Sequence, residues 1–236
     1  MRNPPMSKDR SALLVAHGSP SDPETQEAAL QSLAHRVQAL LPDWKVGSAT
    51  LAAPGKFEVA AQEHPQAVIY PFFMARGWFT NKVLVERAAP FDLSITEPFG
   101  VEPALVTTAV DILQRALASR GWSSEQVSLL IAAHGSARSK TSSDSAKTFA
   151  KAISDRMTFT KIRCGFVEEA PFLKDAAEGL GQGVCLAFLA LDAGHMQDDV
   201  PEALVAAGFD GPVLPPFIDW PETAHLIADS LQRYRP

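Results

Sequence analysis

The tripeptide His-Gly-Ser occurs twice in this chain, and each copy ends a short apolar run. The run over residues 13–16 leads into His17, and the run over residues 129–133 leads into His134, 117 positions later. A histidine at the carboxyl end of a buried strand, followed by glycine, lies where α/β domains present side chains to ligands. The repetition therefore predicts a duplicated α/β domain with a site in at least one half.

Apolar runs and amphipathic stretches alternate in the same order in both halves. In the first half, strands are predicted at 11–17, 46–51, 67–73 and 92–96, and helices at 23–41, 56–63, 80–88 and 104–118. In the second half, strands are predicted at 127–133, 161–167, 184–191 and 213–214, and helices at 144–156, 171–179, 198–207 and 221–234. This alternation is typical of parallel sheets flanked by helices, with the carboxyl ends of the strands at one edge.

Other landmarks repeat at nearly the same spacing. They are the pairs Pro54 and Pro171, Phe72 and Phe188, and Pro98 and Pro216, at offsets of 116 to 118. The Gly-Trp-Ser-Ser segment at 121–124 is the most plausible boundary between the copies. We therefore expect an α/β protein of two tandem similar lobes, 1–120 and 121–236, each a parallel sheet flanked by helices.

Composition limits the kinds of partner. The 236 residues are 46% hydrophobic and carry a formal net charge of −6. Nucleic acids and anionic membranes are poor partners for such a chain, because both need a basic surface. No apolar stretch reaches the roughly 18–20 residues that span a bilayer, and no secretory signal is visible, so we expect a cytoplasmic protein. The two cysteines, Cys164 and Cys185, are expected to be buried reduced thiols.

The six histidines fall into two groups. His35, His64 and His225 are interpreted as surface residues. The other three each follow a predicted strand, where they could face a ligand: His17, His134 and His195.

The second half combines histidines with carboxylates at one predicted sheet edge. His134 follows its first strand, Glu168 and Glu169 follow its second, and His195 follows its third. Two neutral imidazoles can hold a divalent metal ion or accept protons, and a carboxylate can complete either function. Surface salt bridges are the alternative for the carboxylates, and the sequence does not decide which of the two faces the site.

The first half lacks this combination. His17 is kept, but Phe79 stands at the position of His195, and Leu51 and Ala52 are read as the counterparts of the carboxylates. Aromatic and apolar replacements suit a wall that packs against a flat hydrophobic ligand.

In these motifs the chain resembles the class II tetrapyrrole metal chelatases, most nearly the sirohydrochlorin cobalto- and ferrochelatases of the CbiX and CbiK types. The resemblance rests on both His-Gly-Ser motifs, on Phe-Val-Glu-Glu-Ala-Pro at 166–171 and on His-x-x-x-Asp-Val-Pro at 195–201. These motifs, with the phenylalanine and proline landmarks, span nearly the whole chain.

The resemblance implies two similar lobes with a tetrapyrrole bound in the cleft between them. It also implies that His134, His195 and Glu168 are the catalytic and metal-binding residues. The expected reaction is insertion of Co²⁺ or Fe²⁺ into sirohydrochlorin or a related tetrapyrrole, in cobalamin or siroheme biosynthesis. The metal is then a substrate, and no organic cofactor is expected.

Six further residues are expected to contact the tetrapyrrole. They are His17, Phe73, Trp78, Phe79, Ser136 and Arg138. His17 is either such a contact or a vestige of the repeat. Because the expected substrate is polyanionic and the chain is acidic, local basic groups are expected to bind its carboxylates, namely Arg76, Lys82, Arg138 and Lys140.

Two other functions compete with the chelatase hypothesis. One is a non-catalytic tetrapyrrole or metal carrier derived from the same fold. The other is an unrelated hydrolase or transferase, against which the absence of a Gly-x-Ser-x-Gly nucleophile turn argues. Dinucleotide-binding and P-loop fingerprints are absent as well. The choice of metal, the particular tetrapyrrole and the oligomeric state stay open.

Overall fold

The structure is a computed structural model that describes residues 10–191 and 198–235. The first half contains a four-stranded parallel sheet of order β2-β1-β3-β4. Its strands are β1 (Arg10–Ala16), β2 (Trp44–Thr50), β3 (Val68–Pro71) and β4 (Ser94–Ile95). The helices of this half are α1 (Pro23–Leu40), α2 (Lys56–Glu63), α3 (Leu84–Ala88) and α4 (Leu105–Ala118).

The second half repeats this arrangement. Its sheet is also parallel and has the order β6-β5-β7-β8. The strands are β5 (Ser128–Ala133), β6 (Lys161–Phe166), β7 (Gly183–Phe188) and β8 (Val213–Leu214). The helices are α5 (Thr141–Ser154), α6 (Leu173–Ala177), α7 (Asp199–Ala206) and α8 (Thr223–Arg233). The predicted fold of two similar α/β lobes is confirmed.

The first strand of each half lies at the centre of its sheet. In β1 the residues from Ala12 to Ala16 have no exposed surface, and every residue of β5 is buried. A central parallel strand covered on both faces requires such a continuous apolar run. This is why each His-Gly-Ser motif follows a run of small and branched apolar residues.

Helix α1 shows how local sequence sets the ends of an element. Pro23 is its first residue, and the side chain of Asp22 accepts a hydrogen bond from the backbone N–H of Thr25 at 3.4 Å. Both features favour a helix start. One face of the helix is buried and carries apolar residues at helical spacing, namely Leu30, Leu33, Ala34 and Val37. The helix ends just before Pro42.

By its internal contacts the chain divides into two compact units. Unit 1 comprises residues up to Phe99 together with those from Thr223 onward, and unit 2 comprises Gly100–Glu222. This division places α8 in unit 1, where it packs against α1, and α4 in unit 2, where it packs against α5. It differs from the lobes expected at 1–120 and 121–236 in these two helices. The lobe boundary near residue 120 stays a prediction about the sequence repeat.

One histidine interpretation is wrong. His64, at the end of α2, is only 7% exposed, and its Nδ1 lies 3.0 Å from the hydroxyl of Ser11. The ring lies over Gly47 of β2, where any side chain would overlap the imidazole. Burial, with the nearby Lys45 charge, lowers the pKa of His64. His35 and His225 are exposed, as predicted.

Two further expectations concern the burial of the cysteines and the ability of the helices to span a membrane. Cys164 and Cys185 are unpaired thiols in β6 and β7; Cys185 is buried, as predicted, whereas Cys164 is only partly buried. Burial raises the pKa of Cys164 to about 11 and that of Cys185 to about 12. Among the helices that the structure describes, none has the length and apolar character needed to cross a membrane.

Candidate functional site

The site begins at the carboxyl edge of the unit 2 sheet, where β5 and β6 end side by side. The backbone N–H of Val167 donates to the carbonyl of Ala133 at 3.1 Å, and that of Glu168 donates to the carbonyl of His134 at 2.9 Å. The pairing of the two strands thus continues past their ends. It places Glu168 beside His134, although 34 residues separate them in sequence.

The side chains of these two residues also meet. The distance from His134 Nε2 to Glu168 Oε1 is 3.9 Å, and about half of each side chain is exposed. The other ring nitrogen of His134, Nδ1, lies 3.1 Å from the carbonyl oxygen of Gly135. An imidazole next to a carboxylate at an exposed strand end can accept a proton or contribute to binding a divalent cation.

Glu169 has a different position. Its Oε1 accepts a hydrogen bond from the backbone N–H of Ser136 at 3.0 Å. Gly135 has a φ of +72°, and a Cβ at this position would lie 2.9 Å from Glu169 Cγ and 2.9 Å from Phe166 Cβ. The question left open by the sequence is therefore answered by geometry: Glu168 lies beside the imidazole, and Glu169 lies against the backbone of the His-Gly-Ser loop.

The third residue predicted for this cluster, His195, lies outside the described residues. Within residues 10–191 and 198–235, no group of three or more His, Cys, Asp or Glu side chains could hold a metal ion. The described part of the predicted metal site therefore consists of two donors, His134 and Glu168.

Unit 1 has the same backbone arrangement without the carboxylates. The backbone N–H groups of Leu51 and Ala52 donate to the carbonyls of Ala16 and His17 at 2.9 and 2.8 Å. By this register, Ala52 is the counterpart of Glu168 and Ala53 that of Glu169. The sequence-based pairing with Leu51 and Ala52 is wrong by one residue. The reason is that the β2 and β6 ends are 116 positions apart, whereas the β1 and β5 ends are 117 apart.

Four of the residues predicted to bind the tetrapyrrole form one aromatic cluster in unit 1. The ring of Phe79 lies 4.0 Å from that of His17, 5.0 Å from that of Trp78 and 6.4 Å from that of Phe73, between centroids. Trp78 is 61% exposed. The rings of His17 and Phe73 lie within 35° of the plane of Phe79, whereas that of Trp78 stands at 74° to it. The cluster thus offers exposed apolar surface at the carboxyl edge of the sheet.

The backbone at this cluster has a feature that sequence reasoning missed. Residues Phe79–Val83 form a π-helical turn that leads directly into α3. The backbone N–H of Gly77 donates to the hydroxyl of Thr80 at 2.9 Å, which fixes the start of the turn. Such turns occur often at functional sites, but they have no simple periodicity signal in sequence.

Among the predicted polar contacts, Ser136 and Arg138 lie in the loop after His134. The backbone N–H of Arg138 donates to Ser136 Oγ at 3.2 Å, and Arg138 is exposed. In unit 1, Arg76 forms an ion pair with Glu97 at 2.6 Å, with both side chains mostly exposed. A surface pair of this kind is weak, so it leaves Arg76 available to a stronger anionic ligand.

The CbiX family model matches residues 11–116 and 128–231. The chain belongs to the CbiX family. The predicted membership in the class II tetrapyrrole metal chelatases is thereby confirmed. The two matched ranges also correspond to the two halves of the predicted duplication.

Solved structures agree with this assignment. One is CbiX, described as the terminal enzyme for biosynthesis of siroheme in denitrifying bacteria. It is 40% identical to this chain, and the two structures superpose with a TM-score of 0.87. The match covers 96% of this chain and 100% of that chain. Two others share the fold. DR2241 from Deinococcus radiodurans, a multi-domain protein with structural similarity to chelatases, is 18% identical, with a TM-score of 0.73 and coverage of 97% and 56%. SirB from Bacillus subtilis with Fe³⁺ is 14% identical, with a TM-score of 0.66 and coverage of 95% and 94%. No curated protein matches the chain.

Proposed function

We propose that this protein inserts a divalent metal ion, Co²⁺ or Fe²⁺, into sirohydrochlorin or a closely related tetrapyrrole, in siroheme or cobalamin biosynthesis. The observation that carries the proposal is the 3.9 Å approach of His134 Nε2 to Glu168 Oε1 at the carboxyl edge of the unit 2 sheet. Family membership and the 40% identical CbiX of siroheme biosynthesis support the reaction class.

The reaction needs groups that these residues supply. Metal insertion removes two protons from pyrrole nitrogens and strips water from the metal. His134 would accept a proton at Nε2, and Glu168 would stabilise the resulting imidazolium or help to deliver the cation. His195 is proposed as the second histidine of the pair, by resemblance to the family. No organic cofactor is needed for these steps.

The aromatic cluster of unit 1 is proposed to bind the flat face of a tetrapyrrole. Its members are His17, Phe73, Trp78 and Phe79, whose rings contact one another, and Trp78 is largely exposed. In unit 2, Ser136 and Arg138 are proposed to bind substrate carboxylates, since the loop is exposed and Arg138 is cationic. The location is proposed to be cytoplasmic, and the two unpaired thiols support a reducing compartment.

The test is anaerobic metal insertion with sirohydrochlorin and either Co²⁺ or Fe²⁺, followed by the absorption change on metallation. Wild type is compared with H134A, E168Q and the control H35A, which changes an exposed histidine of α1. Loss of a proton acceptor at His134 is expected to lower the rate about 10²- to 10⁴-fold, and H35A should retain the wild-type rate.

Two results would contradict the proposal. H134A turning over as fast as H35A would remove His134 from the reaction. Wild-type protein that binds sirohydrochlorin without converting it to the metallated spectrum would identify a tetrapyrrole carrier instead.

A further inference from the structure

Glu169 is next to the proposed catalytic residue Glu168 but contacts a different part of the molecule. Its carboxylate accepts a hydrogen bond from the backbone N–H of Ser136. That N–H belongs to the peptide group between Gly135 and Ser136. The carbonyl of the same peptide group is the one that lies 3.1 Å from Nδ1 of His134. One peptide group thus contacts Glu169 on one side and the imidazole of His134 on the other.

A peptide group is planar, so fixing its N–H also fixes the direction of its C=O. The Gly135 carbonyl oxygen can only accept a hydrogen bond. The contact with His134 therefore requires the proton to be on Nδ1, which leaves a lone pair on Nε2. Nε2 is the atom that lies 3.9 Å from Glu168. The orientation of this one peptide group selects the form of His134 that can accept a proton or bind a cation.

The packing around Gly135 agrees with a fixed peptide group. The side-chain arm of Glu169 and the Cβ of Phe166 fill the space where a Cβ on Gly135 would lie. Gly135 has a φ of +72°, a left-handed conformation that glycine adopts without steric cost. In unit 1, where no such carboxylate follows the strand, the counterpart of Glu169 is Ala53.

We propose that Glu169 is a positioning residue: it holds the Gly135–Ser136 peptide group so that His134 keeps its proton on Nδ1 and presents Nε2 as an acceptor. This rests on the proposed function for its effect on turnover, but not for its effect on the imidazole. Groups that orient a functional histidine through its second nitrogen typically contribute 10- to 100-fold to metal affinity or activity.

The test uses the full-length protein without ligand, labelled with ¹⁵N. Long-range ¹H–¹⁵N spectra, recorded about two pH units above the usual histidine pKa of about 6.5, distinguish the two neutral forms of each imidazole. The signals of His134 are assigned by their absence in H134Q. The variants are E169A, E169M, E169Q and the matched neighbour E168Q.

Wild type is expected to show His134 with its proton on Nδ1. E169A and E169M, which lack an acceptor for the Ser136 N–H, are expected to lower the ratio of the Nδ1–H to the Nε2–H form at least about tenfold. E169Q keeps an oxygen acceptor and should retain most of the wild-type ratio. E168Q removes the charge that faces Nε2 and favours a proton there, so it should not lower the ratio. E169M preserves the packing against Gly135. If E169A fails to fold, E169M alone tests whether Glu169 controls the ratio.

An unchanged ratio in E169M or E169A would overturn the proposal, and so would an equal shift in E168Q, which would indicate a general effect of charge. In the metal-insertion assay, kcat of E169M should fall about 10- to 100-fold with little change in KM for the tetrapyrrole. A raised KM with unchanged kcat would instead make Glu169 a substrate contact. If wild type shows no insertion, the proposed function fails while the spectra still decide the role of Glu169.

Discussion

Replacing Gly135 by alanine tests whether the loop after His134 is as closely packed as the structure shows. The backbone at Gly135 has a φ of +72°. Alanine in the left-handed region costs roughly 1–2 kcal/mol. Its Cβ would also lie 2.9 Å from both Phe166 Cβ and Glu169 Cγ, and such overpacking costs about 1–3 kcal/mol. The free energy of unfolding should therefore fall by about 2–5 kcal/mol, the sum of the two contributions.

Gly179 provides a matched control in the same compact unit. Its φ is +67°, and a Cβ there would have no neighbour within 4 Å. Gly179→Ala should therefore lose only the backbone part, roughly 1–2 kcal/mol. The effect of alanine on the unfolded chain is the same for both variants and cancels in their difference.

The assay is urea unfolding of wild type, Gly135→Ala and Gly179→Ala. Their free energies of unfolding are compared, with the same dependence on urea concentration required of all three proteins. The expected difference between the two variants is about 1–3 kcal/mol, the contribution from crowding alone. If both lose the same stability within about 0.5 kcal/mol, Glu169 and Phe166 do not enclose Gly135, and the packing argument is refuted. Gly135→Ala should also disturb the imidazole of His134, because its Cβ displaces the arm of Glu169.

Two further predictions concern buried groups. Burial lowers the pKa of His64 in the folded state. The neutral imidazole therefore contributes its full stability above the unfolded-state pKa of 6.5. This contribution is lost as the pH falls from there through the lower folded-state pKa. In thermal unfolding, the decrease in stability over this pH range should be smaller in His64→Gln than in wild type. The same pH profile in both proteins would contradict the burial of His64. Cys164 and Cys185 should resist thiol reagents in the native protein at pH 8 and react on unfolding, since burial raises their pKa values to about 11 and 12; rapid native labelling of Cys185 would refute its burial.

Elements with a clear hydrophobic period could be predicted from sequence to within a few residues. The run before His134 predicts a strand over 127–133, and the strand is β5 over Ser128–Ala133. Helix α6 was predicted too long. The carbonyl of Pro171 accepts the backbone N–H of Phe166 at 3.0 Å, and Phe172 forms an isolated bridge with Phe166, so the helix begins only at Leu173. A pairing between segments decides this boundary, and no local pattern contains it.

The sequence predicts which strand ends carry candidate site residues, but not how their side chains are arranged. Histidine and carboxylate positions follow from strand ends, because parallel strands finish at one edge. Whether Glu168 or Glu169 faces His134 depends on side-chain direction beyond the last strand residue. The sequence also places the unit 1 counterparts one residue too early, at Leu51 and Ala52 instead of Ala52 and Ala53. The reason is that the offset between β2 and β6 differs by one residue from that between β1 and β5.

Comparison of the two units indicates which features belong to the fold and which to the chemistry. In unit 1, Gly18 with a φ of +75° lies against Thr50, whose N–H and hydroxyl both donate to Glu27 of α1 at 2.7 Å. In unit 2, Gly135 lies against Phe166 and Glu169. Both units therefore brace the glycine after the histidine with the last residue of the neighbouring strand, Thr50 or Phe166, and unit 2 adds the side chain of Glu169.

The difference in chemistry lies in what surrounds each imidazole. Placing glutamate at Ala52 would restore the counterpart of Glu168, yet the ring of His17 would still lie 4.0 Å from that of Phe79. Under the proposed function, a glutamate at Ala52 alone is therefore not expected to make unit 1 a second metal site, because the aromatic cluster proposed to bind the ring system lies against His17.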